Sequence, residues 1–401
     1  MKVCLVSAGH PSSNPRLVKE ADALVQAGHE VQVVHAGTWR PGVALDAVLL
    51  ASRSWRVITA WDGVGSLGYR LRRLIQLLAL HASPLLRHVA PGLMAFAASP
   101  VYVVLKRRAM AIRADIYIGH TLPALPVVAA CAARHGGRYV FDIEDFHPGE
   151  REGSTPRDRD WLLADALLAR YLPGAALSTA ASPLIAEEVR ARYGITPLSV
   201  LNVFDAEESE HDSVAVAAQR PRFYWVSQTI GPGRGLEEVI AVLAALARPV
   251  TLDLRGVGRA AYRQKLEALA MARGGTHVRL CFLESAPADE MVRLAAGYTA
   301  GIASELNTCL NRDICLPNKI FTYLAAGTPV ILSATRAQIR LAEQMGDAAL
   351  ILDLTQLETS ARTLAAWLDG WRDGLVGDEI RRVYSWRECQ QGWLRAIADL
   401  A

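Results

Sequence analysis

The sequence predicts an α/β protein made of two doubly wound, Rossmann-like halves. Near the N-terminus an apolar strand, Lys2 to Ser7, runs through a polar loop, Gly9 to Pro15, into an amphipathic helix, Arg16 to Ala27, and on to a second strand, Val31 to His35. Such a strand–helix–strand unit joins parallel strands by a right-handed crossover. After residue 220 a second alternating series begins. Within it, Leu316 to Leu332 (LPNKIFTYLAAGTPVIL) reads as a loop, a helix and a buried strand.

Each element has a local cause. In the first helix the apolar positions Leu17, Val18, Ala21, Leu24 and Val25 follow the helical repeat, and Gly28 caps its end. The alternation returns as a strand over Asp115 to Gly119, a helix over Leu122 to His135 and a strand over Arg138 to Asp142. In the second half, Phe223 to Val226 is a strand, Gly231 to Gly235 a glycine-rich loop and Leu236 to Leu246 a helix. Strands over Val250 to Arg255, Val278 to Leu283 and Gly301 to Ala303 follow, alternating with helices. In the 316–332 stretch Gly327 stops the helix and Pro329 forbids its continuation, so Val330 to Leu332 is extended. The tail, Asp378 to Leu400, reads as one helix with Trp386 and Trp393 on a common face.

These readings divide the chain into an N-terminal domain, 1–205, a polar linker without periodicity, 206–221, a C-terminal domain, 222–375, and a terminal helix, 376–401. Residues 63–114 are a helical insertion in the first domain. No Asp or Glu occurs between Asp62 and Asp115, whereas Arg70, Arg72, Arg73, Arg87, Lys106, Arg107, Arg108 and Arg113 are all basic. Leu71, Leu74, Ile75 and Leu78 are spaced i, i+3, i+4, i+7, so the segment opens with a basic amphipathic helix. It is either packed on the first domain or laid on an anionic membrane surface through residues 70–113. A transmembrane span is not expected, because the uncharged run from Val89 to Leu105 holds Pro91, Gly92 and Pro100.

Composition excludes several classes. The 401 residues are 51% hydrophobic and 21% charged, which argues for large cores and against global disorder. A net charge of +3 gives no electrostatic footprint for nucleic acid. Cys4, Cys131, Cys281, Cys309, Cys315 and Cys389 form no CxxC, so free thiols in a reducing compartment are expected rather than disulfides or zinc. The apolar run of MKVCLVSAGHP is too short for a signal peptide. The expected location is cytoplasmic, with a peripheral position on the inner face of a membrane as the alternative the basic segment allows.

Two stretches suit phosphate chemistry. SQTIGPGRGLEE, Ser227 to Glu238, follows a strand and opens a helix; Gly231, Gly233 and Gly235 let backbone approach a ligand, and Arg234 has the fork that chelates a diphosphate. It is neither GxGxxG nor a Walker A, and a tight turn with a solvated Arg is the plain alternative. Asn318 and Lys319 open the 316–332 helix, whose first turn offers free N–H groups and partial positive charge.

In order along the chain, SNPRLVKEADALVQAGHEVQVV (13–34), ADIYIGHTLPAL (114–125), YVFDIEDFHP (139–148), VSQTIGPGRGLEEVI, LPNKIFTYLAAGTPVI and YSWRE (384–388) resemble retaining glycosyltransferases of the GT-B fold, similar to glycosyltransferase family 4. The resemblance implies two Rossmann-like domains facing across a cleft, with a nucleotide-sugar on the second, an acceptor on the first and a C-terminal helix crossing back to the first. It implies that Arg234 holds the donor diphosphate, with Gln228 where the family usually has Arg, and that Lys319 and Asn318 face the phosphates and sugar. His120 matches a histidine that orients sugar or acceptor; a hydrogen-bonded core histidine is the alternative. The family's paired glutamates are missing: the matching positions are Ile314 and Thr322. The ribose contact then falls to the Thr322 hydroxyl or to Glu305.

Asp142, Glu144 and Asp145 cluster at a strand's carboxyl end, where a carboxylate can deprotonate an acceptor hydroxyl; capping or ion pairing is the plain alternative. Asn14 and Arg16, on the first strand–helix turn, either reach the acceptor or, for Arg16, form an exposed salt bridge. Asp158-Arg159-Asp160 has DxD form but sits in a charged helical run, so no metal is expected. The resulting expectation is a metal-independent glycosyltransferase without a cofactor, using a nucleotide-diphosphate-sugar as co-substrate. It moves the sugar, with retention, to a hydroxyl of a lipid-linked, cell-envelope or exopolysaccharide glycan. The rivals are a non-catalytic module that binds a nucleotide-sugar or a partner glycosyltransferase, and a GT-B nucleotide-sugar epimerase.

Overall fold

A computed structural model describes residues 1–61, 66–86, 91–206, 220–246, 248–372 and 374–400. The chain forms two compact units: Met1–Leu201 with Cys309–Asn311 and Gln390–Ala401, and Asn202–Thr308 with Arg312–Cys389. Most of the expected linker, 207–219, and Arg87 of the basic segment lie outside the described residues.

Among its described residues the first unit holds seven parallel strands: β1 (Lys2–Ser7), β2 (Glu30–Ala36), β3 (Arg56–Trp61), β4 (Ile116–His120), β5 (Arg138–Ile143), β6 (Leu177–Ala180) and β7 (Leu198–Ser199). Their order is β3-β2-β1-β4-β5-β6-β7. β1 therefore lies beside both β2 and β4, and the winding reverses between β1 and β4, the point where doubly wound sheets open a crevice at their carboxyl ends. β1 to β5 are apolar because helices cover both faces; Val6, Val34, Tyr117, Val127 and Val128 are buried in one cluster. The first helix, Pro15–Gln26, begins with Pro in its first turn, where a missing N–H costs nothing, and is capped by Asn14, whose Oδ1 accepts the Leu17 N–H at 3.1 Å.

The 63–114 segment forms three helices among its described residues, Leu67–Leu86, Pro91–Ala98 and Tyr102–Ala109. The second ends at the 99–101 turn, so the uncharged run is broken at Pro100. Among the described residues no helix is long and apolar enough to cross a membrane.

Among its described residues the second unit holds six parallel strands: β8 (Arg222–Ile230), β9 (Val250–Gly258), β10 (Val278–Leu283), β11 (Ala300–Ala303), β12 (Val330–Ser333) and β13 (Ala349–Leu352). Their order is β10-β9-β8-β11-β12-β13, which puts this unit's reversal between β8 and β11. Strand β8 runs four residues past the expected end at Val226, with a register shift between Val226 and Thr229. Pairing with Val257 and Gly258 extends it, a tertiary effect that periodicity does not report. The helix Asn318–Ala325 packs on β11 through Tyr323, whose hydroxyl donates to the Ile302 carbonyl at 3.2 Å and accepts the Val226 N–H at 3.2 Å. Gly301 is required beneath it, since a Cβ there would fall 2.2 Å from the Tyr323 ring.

The tail departs from the single helix expected. It forms Asp378–Val383 and Trp386–Ala398, broken at Tyr384-Ser385, and Ser385 Oγ accepts the Glu388 N–H at 3.3 Å to start the second helix. Trp386 and Trp393 are both buried.

Candidate functional site

Each unit carries a charged cluster at the carboxyl ends of its switch-point strands. In the second unit the turn after β8 brings Gly233 and Gly235 to positive φ (73° and 71°), and Gly235 caps the helix Leu236–Ala245. The turn is pinned to β11, because Ser304 Oγ donates to the Arg234 carbonyl at 2.7 Å and accepts the Trp225 indole N–H at 3.0 Å. The backbone of Arg234 is thereby fixed. Among the described residues its guanidinium makes no hydrogen bond or ion pair.

Lys319, in the first turn of Asn318–Ala325, is buried beside it. Its ammonium donates to the Ser304 carbonyl at 3.1 Å, lies 3.4 Å from Glu305 and sits 5.1 Å above the Trp225 ring. Burial pushes its pKa down; Glu305 opposes this, and Arg234 adds to it, which shows the two cations sense one another. Arg312 completes the set, donating to the Gly233 carbonyl and lying 3.6 Å from Glu305. Sequence reasoning missed Arg312, since nothing in LNRDIC marks it. Lys319 and Arg312 thus share one carboxylate, with Arg234 near Lys319 and two helix starts alongside, a set of groups with the chemistry to meet a polyanion such as a diphosphate.

The remaining donor-side expectations are met unevenly. Glu305 is the counter-ion of Lys319 and Arg312, not an acceptor left free for a sugar hydroxyl. Thr322 is 4% exposed, and its hydroxyl bonds back to the Asn318 carbonyl at 3.3 Å. The Asn318 amide oxygen accepts from Asn202 at 2.7 Å. Gln228 is exposed in the irregular part of β8, and Gly231 follows that strand.

In the first unit Arg16 is neither an exposed salt bridge nor free to meet an acceptor. It is 2% exposed and grips Asp142 with two bonds, Nε to Oδ2 at 2.7 Å and Nη2 to Oδ1 at 2.5 Å, while Nη1 donates to the Val200 carbonyl. Thr179 donates to the same Asp142 at 2.6 Å. His120, the last residue of β4, is 1% exposed between Glu20 (3.2 Å) and Asp142 (3.3 Å). These are charge contacts; neither ring nitrogen is aligned as a hydrogen bond. Burial alone would lower its pKa, but Glu20 and Asp142 prevail and raise it to about 10, so the ring is an imidazolium. Burial would raise Asp142, yet Arg16 and His120 hold it well below the usual carboxylate range. His120 is thus a buried imidazolium inside a neutralised cluster. Asn14 is likewise buried, its Oδ1 committed to the helix cap.

The acidic residues after β5 differ, since Glu144 and Asp145 keep partial exposure. Their packed surroundings, and then the neighbouring Asp145 carboxylate, push the Glu144 carboxyl up to about 7. Asp145 is also raised, first by burial and then by Glu150, while the Asn311 amide, bonded to it at 2.7 Å, lowers it. His147 lies 3.1 Å from Glu150, which outweighs burial and raises its pKa. Asn311 and His147 are further members that sequence reasoning missed. Beside this cluster Thr121, just past β4, has φ 72°, a left-handed conformation that costs a β-branched residue about 1–3 kcal/mol. Its hydroxyl accepts the Ala8 N–H at 3.2 Å, tying β4 to β1 at the reversal of the sheet.

Two other polar groups are committed elsewhere. Asp158 accepts the N–H and hydroxyl of Thr155, and Asp160 pairs with Arg151. In the buried trio His10, His35 and Asp46, His10 pairs with Asp46 through Nδ1 at 2.6 Å and accepts the Trp39 N–H at Nε2, so both its nitrogens are occupied.

No family model and no curated protein sequence matches this chain. Solved structures match all of it. Over 100% of both chains it is similar to HepE from Anabaena in complex with UDP-glucose, at 15% identity and a TM-score of 0.67. Over the same full coverage it is similar to sucrose-phosphate synthase from Thermosynechococcus elongatus, at 14% and 0.69, and to the lipopolysaccharide outer core galactosyltransferase WaaB in its apo form, at 12% and 0.60. At such identities the likeness carries the fold: the chain has the two-domain α/β GT-B fold of these glycosyltransferases.

Proposed function

We propose that this protein transfers a sugar from a nucleotide-diphosphate donor to a hydroxyl acceptor. The observation that carries this is the uncommitted Arg234 guanidinium beside buried Lys319, at the start of two helices in the second unit. The C1–oxygen bond to the diphosphate breaks and its electron pair goes to the leaving phosphate. Arg234, Lys319, Arg312 and the helix-end N–H groups stabilise the charge that develops; such preorganised electrostatics usually contribute most to lowering a barrier of this kind. A UDP-sugar is the class bound by the structurally similar HepE, and it is the first donor to test.

On the acceptor side Glu144, with its carboxyl near neutrality, takes the hydroxyl proton as the acceptor oxygen bonds to C1, and Asp145 is held beside it by Asn311. Retention of configuration is part of this reading and follows from the resemblance to family 4. The acceptor is a lipid-linked or cell-envelope glycan, met by a protein peripheral to the inner face of a membrane. The acid-free basic segment supports that assignment. Arg234→Ala and Lys319→Ala should each cut turnover about tenfold to a thousandfold. The test is single-turnover transfer from a panel of nucleotide-sugars, with hits first chosen by thermal shift. Near-normal turnover in both variants would remove the donor-site assignment.

A second reading is favoured by Thr322 and Ile314, where the family's glutamates are absent: a module that binds a nucleotide-sugar without turning it over. It would show a thermal shift with donor but neither transfer nor donor hydrolysis.

A further inference from the structure

We infer that the helix Leu67–Leu86 is an interfacial anchor that lays its outward face on an anionic lipid bilayer. Leu67, Leu71, Leu74 and Leu78 are 82%, 58%, 56% and 63% exposed, and Ile75 lies among them. At about 100° per residue these side chains fall in one stripe, Gln76 falls opposite it and Ala79 falls between the two. That opposite side is the packed one. Gln76 and Ala79 are buried, and Gln76 donates to the Ala97 carbonyl at 2.6 Å and accepts from Arg73 at 2.7 Å. The helix therefore already has its seat in the fold. The leucines form a second apolar face that no described residue covers, where a solvated helix would carry charge.

Charge identifies the occupant. Arg70 is exposed on one flank of the stripe, Arg73 is exposed further round the same side, where it donates to Gln76, and the whole stretch between Asp62 and Asp115 contains no acidic residue. A second copy of this helix would bring guanidinium against guanidinium. The phosphates of anionic lipids, in contrast, neutralise the arginines while the acyl region takes the leucines. The helix is not apolar enough to cross the bilayer, so it lies in the interface plane. Its 20 residues give about 30 Å of contact.

The test is co-sedimentation of the full-length protein with phosphatidylcholine vesicles, with and without phosphatidylglycerol. The wild type should bind the anionic vesicles and bind the neutral ones weakly. Leu71→Asp combined with Leu74→Asp and Leu78→Asp should weaken binding at least about a hundredfold. Arg70→Gln and Arg73→Gln should each weaken binding to anionic vesicles about fivefold, and high salt should abolish that difference. The substituted positions are exposed, and circular dichroism checks that the variants are folded. Failure of the wild type to sediment with either vesicle overturns the inference, as does equal sedimentation of the triple variant. So does a wild-type dimer, seen by light scattering, that the triple variant dissociates without changing vesicle binding. The anchor deepens the membrane part of the proposed function, but vesicle binding needs no nucleotide-sugar, so its outcome is separate from that of the donor assays.

Discussion

The two charged clusters sit at equivalent places, the reversal point of each sheet, yet they are built to opposite ends. In the first unit Arg16 and His120 are matched by Asp142 and Glu20, all four are buried, and every guanidinium nitrogen of Arg16 has an acceptor. In the second, Lys319 is engaged by Glu305 and Ser304, but Arg234 is held by its backbone alone. A closed cluster fixes architecture, whereas one with an uncommitted cation has something left to bind. Charge at a switch point is therefore not by itself a site; what matters is whether the protein has already used it.

The largest expected effect tests the closed cluster. Arg16→Met leaves Asp142 buried without its main partner and should cost about 3–5 kcal/mol of local stability. Hydrogen exchange in β1, β4 and β5 should report it. Arg234→Ala, the matched change in the other cluster, should alter stability by no more than about 0.5 kcal/mol. If Arg16→Met leaves exchange in those strands unchanged, the contrast between the clusters collapses.

That contrast was only half legible in the sequence. The strand–helix–strand rhythm of residues 2–35 and the helix–Gly–strand unit of 316–332 were readable because their causes are local: apolar periodicity, glycine stops and Pro329. Arg234 and Lys319 were readable because they stand at helix starts marked by local sequence. Arg16 was ambiguous, because its partner Asp142 is 126 residues away and spacing does not encode that pairing. Arg312 and Asn311 were missed for the same reason, since their roles come from tertiary approach to Gly233 and Asp145. The leucine stripe of Leu67–Leu86 was legible as a pattern, but its outward direction was not, because amphipathicity does not say which face finds a partner.

A pH series sharpens the comparison further. The folded state raises the His120 pKa from 6.5 to about 10, so His120 stabilises fully below about pH 6.5 and this contribution is lost as pH rises toward about 10. Asp142, held low, works the other way, stabilising above its unfolded value and losing that contribution as pH falls. Calorimetry should show the melting temperature declining over the alkaline limb in the wild type and less steeply in His120→Gln. Equal slopes would mean that His120 is not charged in the folded protein.

A smaller effect is expected from Glu144 on the reaction itself. As a base it must be ionised, so kcat/KM should rise with pH through an apparent value near 7, set by its packed surroundings and Asp145. Glu144→Gln should remove that limb and leave donor binding, measured by thermal shift, unchanged. A limb that persists in the variant assigns the titration to another group, with Asp145 and His147 the nearest raised groups.

The smallest effect should come from Thr322, the position that aligns with the second glutamate of the glycosyltransferase family 4 sequences this chain resembles. Its hydroxyl is spent on the carbonyl one turn back, the usual back-bond of a threonine within a helix, and the side chain is nearly buried. Thr322→Val keeps the shape and removes only that bond. Donor affinity, read by calorimetric titration with a UDP-sugar, should change by less than about threefold. A loss of about tenfold or more would mean that the hydroxyl turns from the Asn318 carbonyl to the nucleotide on binding. That result would also give the open cluster of the second unit a neutral sugar contact alongside its cations.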